Sequence, residues 1–267
     1  MRTKAQRSKK SSLAETLTRK ARTLFSMAHS AALISKDGID PRCMDHFERL
    51  KYLDLQPALN YKHGIVVYDI GAHEGEYASF LAKIPAVSAI YCFEPIPSVF
   101  AELVKNTHRL KSVRCFPVAL GNQNGSFRMY ANEFTASSSM LKVGPVHIEE
   151  APFTANTHEE EIQMITLEKA VKRYKLPLPD FIKVDVQGYE DRVIRGGENV
   201  VNKAKFCVLE LSLIPLYEKG VLVTEMNLLM RSLGFRLIGI VGKIVGKSGE
   251  ILQLDGLYRN DGNPCAI

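Results

Sequence analysis

The 267-residue chain has no CxxC pair, and its five cysteines (Cys43, Cys92, Cys115, Cys207 and Cys265) are odd in number and far apart. That pattern excludes a zinc-organised fold and a disulfide framework, and it predicts a reducing, cytoplasmic compartment. Cys92 and Cys207 lie in apolar runs, where a free thiol packs as a small hydrophobe. No stretch approaches the roughly 18–20 continuous apolar residues of a membrane helix. A dense His/Asp set of metal ligands is also missing, so no metal is expected. Net charge is missing too, once its location is considered. Residues 1–22 hold eight Lys/Arg against one acid, Glu15, and the remaining 245 residues carry 27 basic and 28 acidic groups. The overall +6 and the pI near 9.0 therefore say nothing about the substrate of the main body. With no basic stripe and no aromatic stacking platform there, specific nucleic-acid binding is not expected.

What is present divides in two. Residues 1–60 read as a basic tail and N-terminal helices, with Leu13, Leu17, Ala21, Leu24, Ala28 and Ala31 at helical spacing. A solvated tail with a surface helix, a membrane-surface or anionic-polymer contact, and a mitochondrial-type targeting segment all fit this pattern. From residue 61 to 267, short apolar runs alternate with helical patterns. The runs are 65–70, 89–94, 113–120, 181–186 and 206–211; the helical patterns cover about 75–84, 97–109, 167–175 and 189–201. Alternation of this kind predicts an α/β fold with a parallel sheet covered on both faces. At the end, a helix closed by Gly234 precedes FRLIGIVG and ILQLDGLYR, an antiparallel pair. Residues 126–166 read as irregular, a lid or acceptor-binding insertion over the carboxyl edge of the sheet.

In open α/β sheets the ligand lies outside the carboxyl ends of the strands. YDIGAHEGEY places Asp69, Gly71 and Gly75 at such an end. A dinucleotide site would need GxGxxG, but His73 and Glu76 occupy its second and third glycine positions. Asp69, Glu74 and Glu76 also crowd the turn. Each anion–anion contact there costs on the order of a few kcal/mol at an effective dielectric near 20, so a pyrophosphate is repelled and a cationic sulfonium donor is attracted. Glu94 ends the next run, placed to accept hydrogen bonds from ribose hydroxyls.

Taken together, YDIGAHEGEY, CFEPIPSVF, PVALGNQNGS, SSSML and IKVDVQGYEDRVIRGG resemble the FkbM-type class I methyltransferases over roughly residues 64–242. The resemblance implies a Rossmann-like, doubly wound seven-stranded sheet, mostly parallel with the last strand antiparallel. It implies S-adenosyl-L-methionine as cofactor and a hydroxyl or carboxyl oxygen of a sugar, glycolipid or secondary metabolite as acceptor. Asp69, Gly71 and Gly75 match the cofactor turn, Glu94 the ribose-binding acid, and Ala119, Leu120 and Gly121 a loop near adenine; His73, Tyr77 and Pro95 are further cofactor-binding candidates beside them. His73 stands where the family commonly has Asn, and Gln187 where it commonly has Glu.

Methyl transfer from a sulfonium is an in-line displacement that needs a positioned nucleophile and, for a hydroxyl, a base. Asp185, at the end of the fourth run, is the leading base or acceptor-orienting residue and also a cofactor neighbour. Glu190 and Glu210 follow as catalytic candidates. His147, His158 and the serines 137–139 are weaker ones. Two other readings remain open, an NAD-dependent oxidoreductase and a non-catalytic methyltransferase-like binding module. The acceptor would be a small molecule or glycan, and the oligomeric state is not legible.

Overall fold

Residues 64–262 are described by a computed structural model. The expected N-terminal helices and basic tail lie outside the described residues. The first apolar run forms strand β1 (Ile65–Ile70), and after a tight turn comes helix α1 (Glu76–Leu81). Strand β2 (Val87–Phe93) leads to α2 (Pro97–Thr107), whose first residue is a proline that lacks only an N–H the helix start would leave unpaired.

The run VRCFPVAL, expected as one strand, is two. Pro117 cannot donate a ladder hydrogen bond, and the chain divides there into β3 (Val113–Phe116) and β4 (Ala119–Gly121), which belong to different sheets. The segment expected to be irregular is largely regular. Strand β5 (Gly125–Asn132) pairs antiparallel with β6 (Thr157–Thr166), with the short helix α3 (Pro145–Glu150) between them. The acidic THEEE is the outer half of β6. Its charges are met across the ladder, where Arg128 pairs with Glu159 at 2.9 Å and the Ser126 hydroxyl donates to Glu161. The inner half of β6 alternates, with Ile162 and Met164 buried.

After α4 (Leu167–Tyr174) and β7 (Phe181–Val184) comes another break in an expected helix. Residues 190–201 form α5 (Glu190–Arg195) and α6 (Glu198–Val201), separated by Gly196-Gly197. A Cβ on Gly196 would lie 1.9 Å from the Gly121 carbonyl oxygen, so close packing on β4 dictates a glycine there. Strand β8 (Phe206–Ser212), α7 (Val223–Ser232), β9 (Phe235–Val245) and β10 (Ile251–Asn260) complete the fold.

The main sheet has seven strands in the order β3-β2-β1-β7-β8-β10-β9. Strand β10 is antiparallel to both neighbours and every other pairing follows the parallel direction, as expected. A second sheet, β4-β6-β5, stands beside it. The strand order reverses between β1, with β2 on one side, and β7 on the other. In open α/β sheets this reversal is where the ligand crevice lies, outside the carboxyl ends of the strands. One face of β1 sends Tyr68 into an aromatic stack with Tyr91 and Phe93, continued by Phe116 and Tyr174 at centroid separations of 4.4–6.4 Å. The period-two alternation of a strand sends Asp69 to the opposite face.

Candidate active site

Register places the charged groups. Asp69 on β1 lies opposite Lys183 on β7 and Cys92 on β2. Val184 pairs with Leu209, so Asp185, one residue on, continues the row toward Glu210, and Glu210 pairs with Asp255 on β10. Asp69, Lys183, Asp185, Glu210 and Asp255 thus share one sheet face at the crevice. The Lys183 ammonium sits among them, 3.5 Å from Asp69 Oδ1, 3.2 Å from Asp185 Oδ2 and 3.0 Å from the Gly71 carbonyl, to which it donates. Its side chain is 11% exposed. Burial draws this ammonium down, but the charges of Asp185, Asp69 and Asp255 outweigh it and hold the group above its ordinary range. The Tyr77 ring lies 5.5 Å from the same ammonium.

The carboxyl groups respond in the other direction. Burial pushes Asp69 up to about 6 despite Lys183, and Glu94 up to about 7 despite two backbone donors. Burial and the charge of Asp185 lift Asp255 to about 7. Glu190 is raised by burial, and Glu210 is raised well above its ordinary value by burial and then by Asp185, Glu190 and Asp255. Glu210 as a residue is partly exposed, yet its Oε2 is enclosed without a hydrogen bond. Both oxygens of Asp69, fully buried, also lack one. Each of these groups has a folded-state value above its ordinary one. The folded state therefore binds the extra protons, and stability present at low pH is lost as pH rises from about 4 through 7. The ligand-free protein is expected to unfold at lower urea concentration at pH 8 than at pH 5.5. A midpoint that rises across that window would contradict the assignment.

The turn after β1 is built for close approach. Gly71 has φ +75°, and a Cβ there would lie 1.9 Å from the Asp185 carbonyl oxygen. The N–H groups of Gly71 and Ala72 donate to Phe93 O at 3.0 and 3.1 Å. Glu94, 5% exposed, accepts from His73 N at 3.1 Å and from Ile96 N at 3.0 Å, bridging this turn to the start of α2. His73 Nε2 lies 2.8 Å from Thr135 Oγ1, which fastens the turn to the segment after β5. Asp69, Gly71, His73, Gly75, Tyr77, Glu94 and Pro95 are therefore brought together. Residues 119–121 are a strand of the second sheet rather than a loop. Ala119 packs with Ile96 and Val99, beside Glu94, while Leu120 faces the main core and Gly121 abuts Gly196.

The loop after β7 is held by its own side chains. Glu190 Oε1 accepts from Val186 N at 3.0 Å and Gly188 N at 3.2 Å, and the residue is 2% exposed. Gln187 Nε2 donates to Asp185 Oδ1 at 2.8 Å, and its Oε1 accepts from the Tyr217 hydroxyl at 2.7 Å. A glutamate at 187 could not donate to Asp185, so this departure from the family pattern has a local use. Ser139 Oγ donates to Gln187 O at 2.7 Å, and Ser138 Oγ accepts from Asn132 N at 3.0 Å. The three serines are buried and bolt their segment to the site. His147 packs edge-on to Tyr217 at 5.1 Å, and burial lowers its pKa. His158 is exposed on β6, away from this row.

Lys183, Tyr217 and Asp255 were not singled out in the sequence. Lys183 did carry a signal, since a lysine inside the apolar run FIKVDV must find partners. Tyr217 carried none, and Asp255 depended on the β8–β10 register.

The strand order and the lone antiparallel strand are those of the class I methyltransferase fold. A family profile described as the methyltransferase FkbM domain matches residues 69–237, and the chain belongs to that family. A 2-O-methyltransferase, NoeI, of Sinorhizobium fredii is 29% identical over 160 residues, which cover 57% of this chain and 65% of that protein. A hexuronic acid methyltransferase, AglP, of Haloferax volcanii is 26% identical over 153 residues, 55% of each. The matched region thus spans less than two thirds of either relative. A crystal structure of an FkbM methyltransferase from Methylobacillus flagellatus superposes with a TM-score of 0.45 at 14% identity, over 73% of this chain and 43% of that one.

Proposed function

We propose that the protein is an S-adenosylmethionine-dependent O-methyltransferase acting on a hydroxyl of a sugar-containing acceptor. One observation carries the reading. Buried carboxyl groups gather at the carboxyl ends of β1 and β7, where, among the described residues, the one charged contact of Asp69 at Oδ1 is Lys183 at 3.5 Å, and the turn above them takes left-handed backbone at Gly71 and Gly75. Acceptor-rich surroundings suit an ammonium, a sulfonium and ribose hydroxyls, and they oppose a pyrophosphate. S-adenosylmethionine, when bound, supplies an electrophilic methyl group whose leaving group is a neutral thioether.

The residues take the following roles. Glu94 accepts from ribose hydroxyls with the lone pairs left by its two backbone contacts. Asp69 and Lys183 hold the turn, with Gly71, His73, Gly75 and Tyr77 lining the methionine end. Pro95, Ala119, Leu120 and Gly121 flank the adenosine end. Asp185, on the row beside the turn, orients the acceptor hydroxyl and takes its proton. Glu190 fixes the loop that presents Asp185, and Glu210, raised by burial and by the charge of Asp185, stands beside it on the same row. The sugar acceptor is supported by the names of the two relatives, and residues 126–166 would form its outer wall as an acceptor-binding insertion on the domain 61–267. Among the described residues no helix is long and apolar enough to cross a membrane; the free-thiol pattern supports a cytoplasmic site of action. The test is transfer of tritium from methyl-labelled S-adenosylmethionine to a panel of neutral sugars and hexuronic acids. Label on a sugar hydroxyl is expected; donor binding with no transfer to any of them would leave only a binding module.

A further inference from the structure

Phe134, 50% exposed, and Phe153, 61% exposed, are the two exposed Phe or Tyr side chains among the described residues. They are not scattered. Their rings meet edge to face, with centroids 5.1 Å apart and planes at 75°. Each sits on its own short helical turn, Phe134 leading into Thr135–Ser137 and Phe153 within Pro152–Thr154. A buried carboxamide locks the two turns together. Asn132, 2% exposed, accepts from Phe134 N at 2.8 Å and donates from Nδ2 to Thr154 O at 2.6 Å. The apolar surface is therefore pre-formed, which removes the ordering cost a ligand would otherwise meet.

The platform continues into the proposed active site. The segment that starts at Phe134 touches the cofactor turn through Thr135 and His73, then receives the Tyr217 hydroxyl at Ser137 O, 3.2 Å away, then reaches Gln187 through Ser139. Gln187 in turn contacts Asp185. Exposed polar groups flank the rings, with Asn156 donating to Glu133 at 3.0 Å. A small apolar surface with a polar rim suits a ligand that is flat, apolar on one face and hydroxylated at its edge. A pyranose ring has that shape, whereas an acyl chain or a protein partner needs a wider apolar area.

The geometry points to an acceptor subsite in which one ring of the Phe134–Phe153 pair stacks against the C–H face of a sugar ring of the acceptor and the other, near perpendicular to it, walls the edge of that sugar. This rests on the sugar O-methyltransferase reading above and adds a binding surface to it. The test uses the full chain saturated with S-adenosylhomocysteine, titrated with a tetrasaccharide of alternating glucuronic acid and N-acetylglucosamine. Loss of one stacking face and one edge contact predicts an affinity about tenfold lower in Phe134→Ala/Phe153→Ala. Donor affinity should stay within about twofold, and Phe134→Tyr/Phe153→Tyr should retain tetrasaccharide binding because the ring faces remain. Equal affinity in the alanine variant, or no binding by the wild type, overturns the subsite. So does unchanged tetrasaccharide affinity with loss of binding to phosphatidylglycerol vesicles or of self-association, which would give the rings another occupant. Affinity lost in the alanine variant without methyl transfer to any sugar upholds the subsite and sinks the enzymatic reading. Methyl transfer with an unchanged acceptor KM in that variant does the reverse.

Discussion

Lys183→Met is expected to cost about 3–5 kcal/mol of folding stability at pH 8, the usual penalty for removing one partner of a buried ion pair. The ammonium touches Asp69, Asp185 and the Gly71 carbonyl at once. Methionine fills the space but returns none of those contacts, and it leaves Asp69, fully buried, beside Asp185 without a cation. The carboxyl groups can then escape only by taking up protons. The deficit relative to wild type should therefore shrink as pH falls toward 5, where protonation removes the charges that Lys183 had balanced. Urea unfolding of both proteins at pH 5 and pH 8 reads this directly. A deficit that is constant with pH, or below about 1 kcal/mol at pH 8, would place Lys183 among ordinary surface lysines. Lys183→Arg should recover little, because a guanidinium fork does not match three acceptors gathered around one compact ammonium.

Asp185→Asn is expected to lower kcat by about 100- to 1,000-fold, within the span of general-base contributions, while donor affinity changes only a few-fold. Asparagine keeps the shape and can still accept from Gln187, so the loop after β7 should survive. What it loses is the carboxylate that faces Lys183 and would take the acceptor proton. Steady-state rates with labelled donor, together with donor binding, separate the two effects. Full turnover in the variant would mean that catalysis here is positioning alone and that the proton leaves to water. A loss confined to the donor affinity would make Asp185 a cofactor residue and nothing more.

Much of this site could be read in the residues, and the reasons for the rest are physical. IVVYDI is apolar on both faces because a central parallel strand is covered on both, and its bounds as read are those of β1. The turn residues Gly71 and Gly75 were visible because left-handed backbone and close approach select glycine. Glu94 was visible as an acid after an apolar run. The partners of these groups were not, since they are set by register between distant strands. Nothing local says that Lys183 faces Asp69, or that Asp255 faces Glu210. The acidic THEEE looked like a loop because three adjacent glutamates oppose a strand in isolation; in the fold, β5 supplies Arg128 and Ser126 to receive two of them. Glu190 looked catalytic from its place one turn past Asp185, yet both of its hydrogen bonds close the loop behind it.

The central claim is that the buried carboxyl groups above β1 and β7 select a cationic, phosphate-free donor. Calorimetric titration of the full chain at pH 6.5 with S-adenosylmethionine and, separately, with NAD tests it most directly. Saturable binding of S-adenosylmethionine with release of protons to the buffer is predicted, because a cation in the crevice favours ionised Asp69 and Glu94, and NAD should give no binding heat. Saturable binding of NAD, with none for S-adenosylmethionine, would contradict the account.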